Sequence, residues 1–143
     1  IGGSSRLGHI NEIESFIRNN AIPGRDKVTG NIDQRLLIQQ VCSAKVALCL
    51  SEDEGLGYNI VEPMACGVSV IARNVGGAKE ALIDFPDCLV EPSATSETFV
   101  DRINQLIRNP IPVDDLRASV KLRFSLDIQI KRLLEVYETV ISR

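Results

Sequence analysis

Residues 51–77 decide the fold of this sequence, and they read Ser51-Glu-Asp-Glu-Gly-Leu-Gly-Tyr-Asn-Ile-Val-Glu-Pro-Met-Ala-Cys-Gly-Val-Ser-Val-Ile-Ala-Arg-Asn-Val-Gly-Gly77. The pattern predicts a strand end, a loop with two glycines, a short helix, an apolar strand and a Gly-Gly turn. A helix that begins directly after a glycine loop points its free N–H groups and positive dipole end outward, which favours a phosphate. Glu54 and Glu62 bracket the loop. The stretch is therefore suited to hold a diphosphate on backbone amides while two carboxylates bind hydroxyl groups.

The composition is that of an ordinary globular domain. The chain has 143 residues, of which 44% are hydrophobic and 24% charged, enough for one domain with its own core. A net charge of −3 gives no bulk attraction to nucleic acid or an anionic membrane. The four cysteines form no C-x-x-C pair, which predicts free buried thiols in a reducing compartment. His9 is the single histidine and lies in a polar helical stretch, which argues against Ser-His or Cys-His catalysis.

Strand and helix patterns alternate along the chain, which predicts an α/β fold with a Rossmann-like parallel sheet and helices on both faces. Strands are expected over residues 28–32, 46–50, 68–72 and 88–90, and helices over residues 5–20, 33–43, from about 59, through 80–82, 96–108, 114–123 and 126–142. Asp33 is the expected N-cap of its helix. The apolar run 46–50 predicts a central strand covered on both faces. The stripe formed by Ile130, Leu133, Leu134, Tyr137 and Val140 predicts core contacts.

The segment from Glu54 to Gly67 resembles the E-x7-E signature of GT-B retaining glycosyltransferases, specifically glycosyltransferase family 4. Residues 70–77 resemble the strand and Gly-Gly turn that follow in that family, and Phe124-Ser125 with the last helix resembles its C-terminal helices. The resemblance implies that residues 1–143 are one nucleotide-sugar-binding domain. This would be the C-terminal, donor-binding domain of a larger two-domain enzyme, without its first strand.

The resemblance also implies roles for single residues. Glu54 is the catalytic candidate and would contact the donor sugar as a positioning and electrostatic residue, without a covalent intermediate, while Glu62 would bind the ribose hydroxyls. The remaining candidates for substrate binding are Gly55, Leu56, Gly57, Tyr58, Asn59 and Ile60 around the diphosphate and sugar, and Gly30, Asn31 and Ile32 beside the base. Two structural alternatives stay open: a packing glycine at position 30, and a capping box with Asn59 as N-cap and Glu62 as its partner.

The resemblance implies that sugar is transferred with retention of anomeric configuration. Because the sequence contains no Asp-x-Asp motif, we expect this transfer to need no metal or other cofactor. The donor would be a UDP-, GDP- or ADP-sugar. The family's basic pair that clamps the diphosphate would lie upstream of Ile1, as would the N-terminal acceptor-binding domain, so the fragment alone is expected to be inactive. We expect a cytoplasmic location or the cytoplasmic face of a membrane. A membrane-facing role for Lys131-Arg132 stays an alternative to a solvated face.

Three other classes of protein share part of this sequence pattern. A non-catalytic nucleotide-binding or regulatory Rossmann-like module fits the same pattern. A dinucleotide-dependent oxidoreductase fits poorly, because Gly55-Leu56-Gly57 lacks the third glycine of its fingerprint. A response-regulator-like domain is only faintly matched by the acidic run Glu52-Asp53-Glu54.

Overall fold

The structure is a computed structural model that describes Ser15, Phe16, Asn19 and residues 29–142. The chain divides into two compact units, residues 1–39 and residues 40–143. Most of the helix expected over residues 5–20, with His9, lies outside the described residues. The three isolated described positions within that helix are helical.

The predicted alternation of strands and helices is confirmed. In chain order the described elements are helix α1 (Gln34–Ser43), strand β1 (Val46–Cys49), helix α2 (Tyr58–Ala65), strand β2 (Ser69–Arg73), helix α3 (Ala78–Ala81), a 3-10 turn (Pro86–Cys88), strand β3 (Leu89–Val90), and helices α4 (Ser96–Arg108), α5 (Val113–Phe124) and α6 (Leu126–Ile141). The strand expected over residues 28–32 is wrong for its described part, since residues 29–32 form no strand. Gly30 has a φ of 59°, which interrupts extended backbone there.

Helix α1 begins as its sequence predicts. The Asp33 carboxylate accepts a hydrogen bond from the backbone N–H of Leu36 at 3.0 Å. The Asp33 carbonyl accepts another from the N–H of Leu37 at 3.0 Å. Asp33 therefore satisfies donors that the first turn of a helix leaves free, and the expected N-cap is confirmed.

The three strands form a parallel sheet in the order β1-β2-β3. Cys49 at the end of β1 pairs with Ala72 of β2, and Ala72 pairs with Leu89 of β3. The carboxyl ends of β1 and β2 therefore meet at one edge of the sheet, where open α/β sheets bind their ligands.

Helices pack on both faces of β2, whose successive side chains point to opposite sides of the sheet. Val70 and Ala72 belong to a cluster with residues of α2, α3 and α5, among them the fully buried Met64 and Leu116. Ile71 belongs to a second cluster with Phe99 of α4. The predicted Rossmann-like arrangement is thus confirmed, with α2 and α5 on one side of β2 and α4 on the other.

Two packing expectations are wrong. Strand β1 is not covered on both faces, since Leu48 is 47% exposed and Leu50 directly after it is 49% exposed. The α6 stripe formed by Ile130, Leu133, Leu134, Tyr137 and Val140 is also exposed, at 47–65%. An apolar pattern identifies a face that favours cover, but it does not say what covers that face. No helix in the described part of the chain is both long and apolar enough to cross a membrane.

Candidate functional site

The loop that carries Glu54 follows β1 and is held in place by the turn after β2. The Gly77 N–H donates a hydrogen bond to the Glu54 carbonyl at 2.8 Å. A Cβ on Gly77 would overlap the Gly55 carbonyl oxygen, and a Cβ on Gly76 would overlap the Glu54 carbonyl oxygen. The Gly-Gly turn therefore fixes the main chain of the acidic loop by direct contact of backbone with backbone, which only residues without a Cβ permit.

Helix α2 begins at a left-handed glycine. Gly57 is the N-cap, with φ 79° and ψ 40°, and no side chain caps the helix. Its carbonyl accepts hydrogen bonds from the N–H groups of Ile60 at 2.8 Å and Val61 at 2.9 Å. The capping box is therefore wrong: Asn59 is the second helical residue rather than the N-cap. A glycine at the left-handed position starts the helix two residues earlier than that box requires.

The first turn of α2 leaves backbone donors for a ligand. No described residue accepts a hydrogen bond from the backbone N–H of Gly57, Tyr58 or Asn59. Ile60 differs from the other candidates, because its N–H is taken by Gly57 and its side chain is fully buried. Free N–H groups at the positive end of a helix dipole are suited to an anion.

The Glu54 carboxylate is held by two neighbouring side chains. Its Oε2 accepts a hydrogen bond from Asn59 Nδ2 at 2.9 Å, and the Cys49 thiol lies 3.6 Å from the same oxygen. Asn59 Nδ2 also donates to Cys49 Sγ at 3.0 Å. Sequence reasoning treated Cys49 as an inert buried thiol and Asn59 as a cap or a source of a backbone amide. Nothing in the spacing of these residues revealed that they contact Glu54.

Glu62 stands apart from this cluster. Its side chain is exposed on α2, and no hydrogen bond to its carboxylate occurs within the described residues. It lies near Cys66 at the end of the helix. Burial and a hydrogen bond with the Cys42 thiol raise the pKa of Cys66 to about 11, with the Glu62 charge adding to the increase and Arg117 opposing it. A raised pKa keeps the Cys66 thiol protonated near neutral pH, which disfavours a role as nucleophile.

The other residues predicted to bind substrate fall into two groups along the chain. Gly55, Leu56, Tyr58 and Asn59 are all exposed, and Tyr58 is 65% exposed. Gly30, Asn31 and Ile32 belong to the other compact unit, and their contact with a base stays a prediction. The positive φ of Gly30 by itself favours glycine there. Across residues 29–142 no group of three or more His, Cys, Asp or Glu side chains is arranged to hold a metal ion.

The sequence matches known proteins of one kind. A profile of the family described as glycosyl transferases group 1 matches residues 8–123. A GDP-mannose-dependent monoacylated alpha-(1-6)-phosphatidylinositol monomannoside mannosyltransferase of Corynebacterium glutamicum is 34% identical over 89 residues, 60% of this chain and 23% of that protein. A D-inositol 3-phosphate glycosyltransferase of Xylanimonas cellulosilytica is 24% identical over 99% of this chain and 35% of its own length. The chain thus spans about a third or less of these relatives.

Two solved structures share the fold. A sucrose-phosphate synthase from Thermosynechococcus elongatus superposes with a TM-score of 0.82 at 23% identity, over 99% of this chain and 38% of that protein. A glycosyltransferase from Rickettsia africae superposes with a TM-score of 0.79 at 23% identity, over 98% and 39%. At this identity the agreement concerns the arrangement of helices and strands.

Proposed function

The chain belongs to the glycosyl transferases group 1 family, and from that membership we propose that it is the donor-binding part of a retaining glycosyltransferase. The donor is a nucleoside diphosphate sugar. One observation carries this proposal: the Glu54 carboxylate is held by Asn59 directly beside the free backbone amides at the start of α2. A negative group that can orient a sugar and donors that can receive a diphosphate thus lie on one short segment.

The chemistry follows from where charge develops. When the bond between the sugar and the diphosphate breaks, negative charge grows on the leaving oxygen, and preorganised donors lower the energy of that state. The N–H groups of residues 57–59 and the α2 dipole supply such donors. Glu54 accepts hydrogen bonds from donor-sugar hydroxyls and stabilises positive charge at the sugar. Glu62 accepts hydrogen bonds from the ribose hydroxyls.

The partners are a nucleotide sugar and the rest of the enzyme. Because the chain spans about a third or less of its relatives, we place the acceptor-binding domain, and a basic pair that clamps the diphosphate, outside these 143 residues. The donor is a UDP-, GDP- or ADP-sugar, and GDP-mannose is the first to test because one relative is described as dependent on it. The 143 residues alone transfer no sugar. We place the enzyme in the cytoplasm or at the cytoplasmic face of a membrane.

The test uses the full-length protein and three variants. Calorimetric titration with UDP, GDP, ADP and the matching sugars identifies the donor, and release of nucleoside diphosphate measures turnover. Glu54→Gln should lower turnover by about a hundredfold, the cost of losing a preorganised group at the reacting centre. Glu62→Gln should lower turnover and should also weaken binding of the free nucleoside diphosphate, because Glu62 is assigned to the ribose. Glu138→Gln removes an exposed carboxylate on α6 and should change neither quantity.

Two results would contradict the proposal. If no nucleotide binds the full-length protein, the site has another ligand. If nucleotides bind but Glu54→Gln changes only their affinity and no sugar is transferred, the protein is a non-catalytic nucleotide-binding module.

A further inference from the structure

Three side chains from three elements meet at the carboxyl end of β1. Cys49 is the last residue of β1, Glu54 lies on the following loop, and Asn59 is the second residue of α2. The Asn59 amide nitrogen lies 3.0 Å from Cys49 Sγ and 2.9 Å from Glu54 Oε2, and Cys49 Sγ lies 3.6 Å from that same oxygen. Each pair among the three is therefore in hydrogen-bond contact.

We propose that the Asn59 side chain, seated on the Cys49 thiol, is a positioning residue that fixes Glu54 so that Oε1 faces the donor sugar. This inference rests on the proposed function, because it assigns Glu54 to the sugar of a nucleotide donor. It concerns the side chain of Asn59, whereas the proposed binding of the diphosphate uses the backbone N–H of Asn59.

The count of donors and acceptors supports this assignment. The Asn59 amide group carries two N–H donors, which match the two acceptors in reach, Cys49 Sγ and Glu54 Oε2. The thiol in turn can donate to Glu54 Oε2, so two donors converge on one carboxylate oxygen. In the described residues no side chain or backbone donor contacts Oε1. An ionised carboxylate keeps acceptor capacity on that oxygen, which is left for a hydroxyl group of the substrate.

The Glu54 carboxylate fixes which way the Asn59 amide faces, and the buried Cys49 thiol supports the amide in that position. A carboxylate accepts hydrogen bonds and cannot donate them, so the Asn59 oxygen would be repelled if it replaced the nitrogen beside Glu54. Cys49 is only 4% exposed, and its sulfur is held between the amide and Ser51 Oγ at 3.7 Å. A side chain fixed in this way is already ordered before the substrate binds. Less conformational entropy is then lost when the substrate binds.

Asn59 also joins the two halves of the site. Its side chain holds the carboxylate that faces the sugar, while its backbone N–H is one of the free donors at the start of α2. Asn59 therefore sets the distance between the Glu54 carboxylate and the free N–H groups at the start of α2. Misplacement of a reacting group by about 1 Å can lower a rate by about a hundredfold.

The test compares Asn59→Ala and Asn59→Asp with Asn104→Asp in the full-length protein. Asn59→Ala keeps the backbone amide and should lower kcat with the nucleotide sugar by about ten- to a hundredfold. The affinity for the free nucleoside diphosphate should not change, because Glu54 faces the sugar. Asn104 is exposed on α4, so Asn104→Asp makes the same chemical change away from the site and should leave both quantities unchanged.

The Asn59→Asp variant adds a readout that a structural role would not give. It places a second carboxyl beside Glu54 Oε2, and two neighbouring carboxyl groups hold one shared proton with a raised pKa. The protonated form can again donate a hydrogen bond to Glu54. Its turnover relative to wild type should therefore be lowest near neutral pH and should recover as the pH falls toward 5. A ratio that stays constant with pH would overturn the inference.

Glu54→Gln and the Asn59→Ala/Glu54→Gln double variant separate the two proposals. If Asn59 acts through Glu54, the double variant should be no slower than Glu54→Gln alone. If Glu54→Gln lowers turnover but Asn59→Ala does not, the inference fails and the proposed function stands. If the protein binds nucleotide sugar and Glu54→Gln turns over as fast as wild type, the assigned role of Glu54 fails, and with it the proposed function.

Discussion

Gly77 shows how a single missing side chain shapes this site. Its N–H donates to the Glu54 carbonyl, and its Cα faces the Gly55 carbonyl too closely for any Cβ. The family resemblance made Gly55 and Gly57 candidates for substrate binding. The structure places the closest backbone contact at the Gly-Gly turn instead, whereas a Cβ on Gly55 would have no neighbour within 4 Å. A sequence pattern can identify glycines that matter, but not the distant segment that each one contacts.

We expect Gly77→Ala to lower the free energy of unfolding by about 1–3 kcal/mol, the usual cost of forcing extra atoms into a packed region. The added methyl must push the acidic loop away from the turn. Urea unfolding measures the effect. Gly55→Ala is the matched control: its Cβ meets open space and its φ is not positive, so a change within about 0.5 kcal/mol is expected. Equal losses in both variants would mean that the close contact does not stabilise the fold.

The Glu54 cluster marks the limit of sequence reasoning at a single residue. The E-x7-E pattern pointed to Glu54, and the apolar run before it placed Cys49 on a strand. The contact between them depends on how far α2 turns back over the end of β1. That turn is set by the left-handed Gly57. Since many residue types tolerate several loop conformations, the sequence left this φ undetermined, and with it the neighbour of the Asn59 amide.

Helix α5 holds the ends of two other helices through its arginines. Arg117 donates to the carbonyls of Ala65 at 3.3 Å and Cys66 at 3.5 Å, at the end of α2. Arg123 donates to the carbonyl of Glu80 at 2.6 Å and to that of Ala81 at 3.1 Å, at the end of α3. The last carbonyls of a helix lack partners and carry its negative dipole end, so a cation there is favourable. Helix α5 thus fixes α2 and α3 from the side opposite the candidate site.

Arg123→Ala should lower the free energy of unfolding by about 1.5–3 kcal/mol, the scale of hydrogen bonds that involve a charged group. Its guanidinium also bonds Ser119 Oγ at 2.6 Å and Asp84 at 3.1 Å. Two buried residues, Ser119 and Ala81, therefore lose a partner together with the exposed Glu80 and Asp84. The control is Lys121→Ala, an exposed cation on the same helix, which should change stability by less than about 0.5 kcal/mol. Thermal and urea unfolding of both variants measure the difference. A similar small effect for both would show that the Arg123 contacts add no net stability.

The periodicity of the sequence predicted the type and order of the helices and strands well. It predicted poorly which of their apolar faces are buried. Helices α4, α5 and α6 begin and end within one or two residues of their expected bounds. Pro110 and Pro112 lie between α4 and α5, so the sequence marks that boundary locally, although no described side chain caps the start of any of the three helices. Burial is not local. Strand β1 and helix α6 present apolar side chains as expected, yet Leu48 and Leu133 are about half exposed. Whether an apolar face is covered depends on other segments, which its own periodicity cannot reveal.

At the scale of the whole molecule, the candidate site is the meeting point of several ordinary features. The parallel sheet brings the ends of β1 and β2 to one edge. The Gly-Gly turn clamps the acidic loop, and the arginines of α5 anchor the far ends of α2 and α3. The free amides at the start of α2 are therefore held by contacts on both ends of the helix. A rigid frame of this kind suits a site that stabilises charge through fixed dipoles rather than through moving groups.

We expect the leaving diphosphate to be stabilised without a metal ion. In the proposed mechanism, the helix amides and a basic pair outside this chain stabilise the diphosphate of the full-length protein, and these 143 residues contain no Asp-x-Asp motif. Release of nucleoside diphosphate should therefore continue at an unchanged rate after treatment with EDTA, and added MgCl2 or MnCl2 should not raise it. A loss of about a hundredfold on chelation, restored by either metal, is the scale expected if a metal ion were the main electrostatic group. That result would assign the diphosphate to a metal held elsewhere in the enzyme and leave α2 with the sugar alone.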